Sequence, residues 1–225
     1  MKTLDMDQKC YDLLAGYGLG GLDLPGARCF IFEQGEYLFR EGEDVHYVHF
    51  VLSGKAKVYL GTSNGKQLLL CYFISDGLLG SLELLSGKRV YPVTAQAVSE
   101  FVCVGLPLHI YTEVLRNNIL FMNRIGTELA ESLYMANRNA AAMILLPLEA
   151  RLYAYITQTA LNGLFRETHT ELADFLGTSY RHLLRGFHKL CAEGILQKEY
   201  GGYRVIRPQV LHEKAGEIYT LQYKL

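Results

Sequence analysis

The sequence predicts an α+β chain in three successive parts: an N-terminal β jelly roll, a long dimerisation helix, and a C-terminal winged helix-turn-helix. Three observations carry that expectation. Short apolar runs broken by turn residues recur at about ten-residue spacing, as in antiparallel sandwiches. A proline-free stretch with a 3-4 repeat then runs from Ile110 to Leu145. Finally, a capped helix, a glycine turn, a basic helix and a hairpin follow one another between Thr168 and Ile206. The expected boundaries are 1–107 for the jelly roll, 108–146 for the helix and 147–225 for the winged part.

The first residues, to about 30, are mixed and heavily punctuated by Gly16, Gly18, Gly20, Gly21 and Gly26. Strand-like runs follow: Phe30–Phe32 before Gly35, Tyr37–Phe39 before Gly42, Tyr47–Leu52 before Ser53-Gly54, and Ala56–Leu60 before Gly61. Asn64-Gly65 carries the signature of a type I′ hairpin, with Gln67–Ile74 as its return strand. Val90–Val104 supplies further β-branched and aromatic sequence.

Past Pro107 the period changes. Met122, Ile125, Leu129, Ser132, Ala136, Asn139 and Met143 recur at alternating spacings of three and four, with Gly126 the one glycine of the stretch. This is a coiled-coil seam, and a parallel homodimer is its natural partner. Pro147 breaks the pattern, and Leu148–Leu161 is a further helix that closes at Asn162-Gly163.

In the third part, Thr168 and Glu171 have the spacing of a capping box. Gly177 supplies the turn, and Thr178 or Ser179 caps the second helix. There Leu183, Phe187 and Leu190 should face the core, leaving Arg181, His182, Arg185 and Lys189 on other faces. Residues 178–191 hold three Lys/Arg and no acid, in a chain whose net charge is −1. A recognition helix needs such a face, because phosphates lie near its first turn and Arg matches guanine N7 and O6. The hairpin Ile195–Tyr200, Gly201-Gly202, Tyr203–Ile206 is the expected wing. Candidate DNA contacts are therefore Thr178, Ser179, Tyr180, Arg181, His182, Arg185, Lys189 and the wing's Lys198. Lys198 and Arg204 suit backbone phosphates, or serve as edge-strand charges.

Composition narrows the classes. Half of the 225 residues are apolar, enough for real cores, and no whole-chain field draws in nucleic acid, so a DNA site has to be a local basic face. The five cysteines, Cys10, Cys29, Cys71, Cys103 and Cys191, are odd in number and scattered without a C-x-x-C pair, which points to a reducing cytoplasm. The N-terminus lacks a signal-peptide core, and no apolar run is long enough for a membrane span.

In the order of these parts the chain resembles the Crp/Fnr family of bacterial transcription regulators. The likeness rests on Gly35–Gly42, Phe50–Tyr59, Leu79–Leu85 and Glu171–Arg185; the run Ser179–Leu184 looks like the YeiL branch of that family. The resemblance implies a cyclic-nucleotide-binding-like jelly roll and a homodimer that bends an inverted-repeat operator and acts on RNA polymerase recruitment. It also implies an effector pocket around Gly80, Ser81, Leu82, Arg89 and Val90. Members that bind a cyclic nucleotide carry Glu after the cassette glycine and a Ser/Thr after its arginine. Here Ser81 and Val90 stand in those places, so cyclic AMP is not expected. An iron–sulfur cluster, as in the family's oxygen sensor, would need the scattered Cys10, Cys29, Cys71 and Cys103 to converge. The cofactor is thus left open.

Two other classes compete. One is a jelly-roll regulatory module that binds a small molecule or protein without DNA; the helix-turn-helix and wing argue against it. The other is a cupin-like metal enzyme using His46 and His49, but residues three apart on a strand point to opposite faces. No catalytic motif is present, and no enzyme activity is expected.

Overall fold

A computed structural model describes residues 1–61, 67–68 and 73–215. The expected Asn64-Gly65 turn and Cys71 lie outside the described residues, as do the side chains of Asn139 and Met143. The chain divides into two compact units, one built on Met1–Val58 and Ile74–Tyr134, the other on the chain from Met135 onward.

The N-terminal elements are β1 (Lys2–Leu4), α1 (Gln8–Gly16), β2 (Arg28–Phe32), β3 (Tyr37–Phe39), β4 (Tyr47–Ser53), β5 (Ala56–Gly61), β6 (Gln67–Leu68), β7 (Phe73–Ile74), β8 (Leu78–Leu79), α2 (Ser81–Ser86), β9 (Thr94–Ala97) and β10 (Phe101–Pro107). They form two sheets, ordered β1-β2-β10-β4-β8 and β3-β9-β5-β6, with β7 paired to β5. This is the expected jelly roll. Sequence reading passed over α1, β1 and α2, which are short or lie within glycine-rich or apolar stretches.

The middle of β4 and most of β10 are buried and largely apolar, because both faces of their sheet are covered there. Val48 and Phe50, with Val104 and Leu106, share a core with Cys10, Leu14, Tyr17 and Leu19 from the N-terminal segment. The alternate residues His49, Val51, Phe101 and Cys103 belong to the opposite face. The Tyr17 ring meets Phe50 edge-on at 4.9 Å.

The expected single helix is two: α3 (Leu108–Arg116) and α4 (Ile119–Leu145). Asn118 makes the break. Its side-chain oxygen accepts from the backbone N–H groups of Leu120 and Phe121, both at 3.1 Å, as an N-cap does. Its amide also donates to the Gly18 carbonyl at 2.8 Å, anchoring the corner.

The seam expectation needs correction. Ile125 is 1% exposed in the core of its own unit, and Met122 and Leu129 pack against the same cluster. Polar groups hold this face too. Tyr17 donates to Glu128 Oε1 at 2.8 Å, and Arg124 Nε donates to the same oxygen at 3.1 Å. The Arg124 guanidinium lies 3.8 Å from the Tyr17 ring centre, and its Nη1 donates to the Gly16 carbonyl. Met122, Ile125 and Leu129 are therefore intramolecular contacts, and Ser132 and Ala136 continue their stripe, half-buried. The exposed 3-4 repeat is one residue further on: Ile119, Asn123, Gly126, Ala130, Leu133, Asn137, half-buried Ala140, and Ile144. The apolar members are open, Ile119 at 70%, Leu133 at 63% and Ile144 at 82%. One residue is about 100° around a helix, so the whole stripe turns to another side. Helix α3 and the first half of α4 pack with the roll, and the compact units divide between Tyr134 and Met135.

The second unit contains α5 (Leu148–Thr159), β11 (Leu164–Phe165), α6 (His169–Phe175), α7 (Tyr180–Ala192), β12 (Leu196–Glu199), β13 (Gly202–Val205) and α8 (Pro208–Ala215). Its sheet runs β11-β13-β12, and α8 packs on α5. No helix among the described residues is long and apolar enough to cross a membrane.

Candidate nucleic-acid interface

Helices α6 and α7 meet across the turn Leu176–Ser179. Gly177 has φ +58°, left-handed backbone that a side chain rarely adopts, and Thr178 N–H donates to the Ala173 carbonyl at 2.9 Å. Ser179 is the N-cap of α7, its hydroxyl oxygen accepting from the His182 backbone N–H at 3.2 Å. The Thr168–Glu171 box forms differently from the expected one. The Thr168 hydroxyl donates to Glu171 Oε2 at 2.7 Å, and no side chain caps the backbone of α6.

One face of α7 is core. Leu183, Phe187 and Leu190 are buried, and a side chain at Gly186 would press on Leu152 of α5 at 3.0 Å. Phe187 stacks on Tyr203 of β13 at 4.5 Å and meets Phe165 of β11 at 5.7 Å and His169 of α6 at 4.8 Å with tilted rings. This aromatic block fixes α7 against the wing. Gly202 is required there, since a Cβ would lie 2.2 Å from the Phe165 carbonyl oxygen. Strand β11, two residues long, was not legible in the sequence.

The opposite face presents the expected residues. Ser179, Tyr180, Arg181, His182 and Arg185 are exposed, and Thr178 is half-buried, its hydroxyl 3.4 Å from His182 Nδ1. Arg181 and Arg185 have no ion-pair partner among the described residues. Lys189 differs: its ammonium lies 2.8 Å from Glu149 of α5. On the wing, Arg204 is paired to Glu199 across the hairpin, while Lys198 is exposed with no carboxylate partner among the described residues. Two residues on this face were missed. His188 is exposed, three positions after Arg185 and seven after Arg181, a spacing that could have found it. Tyr200 stands fully exposed at the wing tip.

The five expected effector residues differ in exposure. Ser81 is buried, while Leu82, Arg89 and Val90 are exposed, and Gly80 (φ +91°) is the backbone start of α2. The buried side chain nearby is Tyr91, stacked on Phe39 at 3.8 Å and donating to the Tyr47 carbonyl. A cyclic phosphate needs a cation beside a hydroxyl, and here Val90 follows Arg89 with no hydroxyl while Ser81 is buried and Arg89 exposed, a donor set that does not fit a cyclic nucleotide. Nor do the described cysteines fit a cluster. Cys10 and Cys29 share the helix-facing core, whereas Cys103 precedes Val104 on β10 and points to the other face. Burial pushes the Cys10 thiol up to about 12 and holds Cys29 and Cys103 protonated as well. Among the described residues no group of three or more His, Cys, Asp or Glu could hold a metal. His46 is exposed just before β4, and His49 is buried within it.

Known proteins share this order of parts. Residues 30–118 match the family described as cyclic nucleotide-binding domain, and residues 129–214 the one described as Crp-like helix-turn-helix domain. The regulatory protein YeiL of Escherichia coli O157:H7 is 31% identical over 178 residues, covering 79% of this chain and 81% of YeiL. The cyclic AMP receptor protein of Thermus thermophilus is 27% identical over 197 residues, covering 82% of this chain and 87% of that one. In structure, a transcriptional regulator of the CRP family, also from Thermus thermophilus, superposes with a TM-score of 0.68 at 18% identity, covering 86% of this chain and all of that one. With the jelly roll, the basic helix α7 and its wing in the order of these relatives, the chain belongs to the Crp/Fnr family of DNA-binding transcription regulators with an effector-sensing domain.

Proposed function

We propose that this regulator works in the cytoplasm as a parallel homodimer on an inverted-repeat operator and acts on RNA polymerase recruitment. The observation that carries the reading is the exposed face of α7, where Arg181 and Arg185 stand unpaired beside His182 while the opposite face is locked into the core. Arg185 reads a guanine in the major groove, since its planar fork matches N7 and O6. Arg181 and His182 flank it, and Tyr180 and Thr178 border the same turn. Ser179, with the free N–H groups of the α7 start, takes a phosphate. Lys198 contacts the backbone from the wing.

Pairing uses the exposed stripe of α4. In heptad terms Ile119, Gly126, Leu133 and Ala140 occupy d positions, and Asn123, Ala130, Asn137 and Ile144 occupy a positions. Asparagine at a position a favours a parallel pair in one register. Two α7 helices related by that axis read two half-sites, which makes the operator an inverted repeat. A signal received by the jelly roll alters the pairing and so the DNA affinity.

Selection of duplexes from a random pool by the purified chain, with sedimentation of the bound complex, tests the reading. Enrichment of a two-fold symmetric site occupied by two chains is expected. Enrichment of a single asymmetric half-site by one chain would sink it.

A further inference from the structure

Tyr200 stands at the tip of the wing with its whole ring in solvent, at 102% exposure. Among the described residues no other large apolar or aromatic side chain is as open; the next, Ile144 at 82%, belongs to the exposed stripe of α4. The turn does not ask for such a residue. Glu199 and Gly202 are the last pair of the hairpin, so Tyr200 and Gly201 form a two-residue loop. Loops of this kind favour Gly, Asn and Asp, and Gly201 meets that need with φ +75°. A bulky ring at the first loop position helps neither turn nor core, and a local misfit of this sort marks a functional position.

The tip is held firmly relative to α7. Two backbone bonds close the end of that helix, from Gly194 N–H to the Cys191 carbonyl and from Ile195 N–H to the Leu190 carbonyl, both at 3.0 Å, and β12 starts at the next residue. Ile206 N–H donates back to the Ile195 carbonyl at 2.9 Å, and Tyr203 of β13 lies on Phe187. The arms rise about 3.4 Å per residue, so the loop projects about 10 Å past Val205. Its charge favours DNA. The hairpin carries Lys198 and Arg204 against Glu199 alone, and the Glu199 carboxyl is held below its ordinary range by the hydrogen bond and charge of Arg204, with the charge of Arg166.

We propose that Tyr200 is a second reading element: its ring enters the minor groove adjoining the major-groove segment under α7 and selects A·T over G·C pairs there. This rests on the reading of α7 as the recognition helix. A helix seated in the major groove leaves a hairpin at its flank over the neighbouring backbone, and the reach of this wing is of the order of a groove width. The minor groove is about 6 Å wide, which admits a ring edge-on and no helix. Its floor offers the acceptors adenine N3 and thymine O2, to which a phenol O–H donates. A G·C pair adds the guanine 2-amino group, which fills the same floor and blocks the ring. A·T runs also narrow the groove and deepen its negative potential, which suits Lys198 two residues away. Tyrosine, with an apolar body and a polar end, fits sugar walls and base edges together.

Binding titrations of the full chain on its selected duplex test this, with the pairs bordering each half-site exchanged one at a time among A·T, G·C and inosine·C. Inosine lacks the 2-amino group, so its pair with C resembles A·T in the minor groove and G·C in the major groove. At one or more bordering positions the parent should bind A·T and inosine·C duplexes alike and the G·C duplex about three- to tenfold more weakly, the worth of one hydrogen bond. In Tyr200→Ala the three should become equal, with the base preferences inside the half-site and the urea midpoint both unchanged. Tyr200→Phe keeps the ring and loses the donor, so it should hold the same order with a smaller gap. A parent indifferent to the bordering pairs, an inosine·C duplex that behaves like G·C, or an undiminished gap in Tyr200→Ala would each overturn the assignment. A chain that selects no duplex would remove the operator reading and this one with it. A chain that holds its half-sites but is blind to their borders would remove this one alone.

Discussion

At α7 the exposed cations differ in what holds them, and their expected roles differ accordingly. Arg185 is unpaired at the centre of the exposed face, so Arg185→Ala should cost about 1–3 kcal/mol on the selected operator and relax preference at one base pair per half-site. Titration against single-base operator variants checks this; equal weakening on every sequence would make Arg185 a phosphate contact. A second residue-scale case is His49. It lies among Phe30, Phe39 and Tyr47, its Nδ1 is buried without a hydrogen-bond partner among the described residues, and burial pushes its pKa down to about 4 from 6.5. Its folded value is depressed, so the unfolded chain takes the proton first. Stability is full above about pH 6.5 and falls as the pH drops toward 4, by about 3 kcal/mol in all. Urea midpoints measured across that window should slope less in His49→Gln than in the parent. The arginines and the Ser179 cap were legible because residue type and spacing alone place them. The pairing of Lys189 with Glu149 was not, since the two are forty positions apart and meet only when α5 packs on α7.

Elements divide in the same way. The jelly-roll strands around Phe30, Tyr37, Tyr47 and Ala56, the glycine turn and the wing carry local signals, and they stand where those signals put them. Strand β11 and helix α2 are too short to show a period, and α4 shows what period alone leaves out. A helix with apolar residues on two sides offers two 3-4 stripes, and the sequence does not say which meets its own domain. The contacts of Ile125, Met122 and Leu129 decide that the stripe one residue later is free. Leu133→Arg should therefore place unmatched charge in the paired helices and give monomers of near-parental stability, as read by sedimentation and urea melts. Ile125→Ala should do the reverse, keeping the dimer at saturating concentration while costing about 2–5 kcal/mol of fold stability through the cavity it leaves. Leu133→Arg chains that sediment as stable dimers would return the seam to the buried stripe or to another surface.

For the molecule as a whole, a net charge of −1 means that DNA meets a local field rather than a global one. The salt dependence of binding then counts the few cations released onto phosphates. Lys198 is exposed and unpaired among the described residues, so Lys198→Ala should weaken operator and random duplex alike and flatten the log–log salt slope by about one unit per protomer. Lys189 sits on the same helix as the reading arginines, and the sequence ranks it with them. Its ammonium is already neutralised by Glu149, both side chains being half-exposed, so contact with a phosphate requires breaking that pair first. Lys189→Ala should accordingly change the slope by clearly less than Lys198→Ala. In Glu149→Gln the same lysine is freed, and random-duplex affinity should rise. Slopes measured for the three variants over a range of salt separate the two lysines. Equal flattening by both would mean that Lys189 leaves Glu149 when DNA arrives, and that the ion pair between α5 and α7 is a resting contact rather than a fixed one.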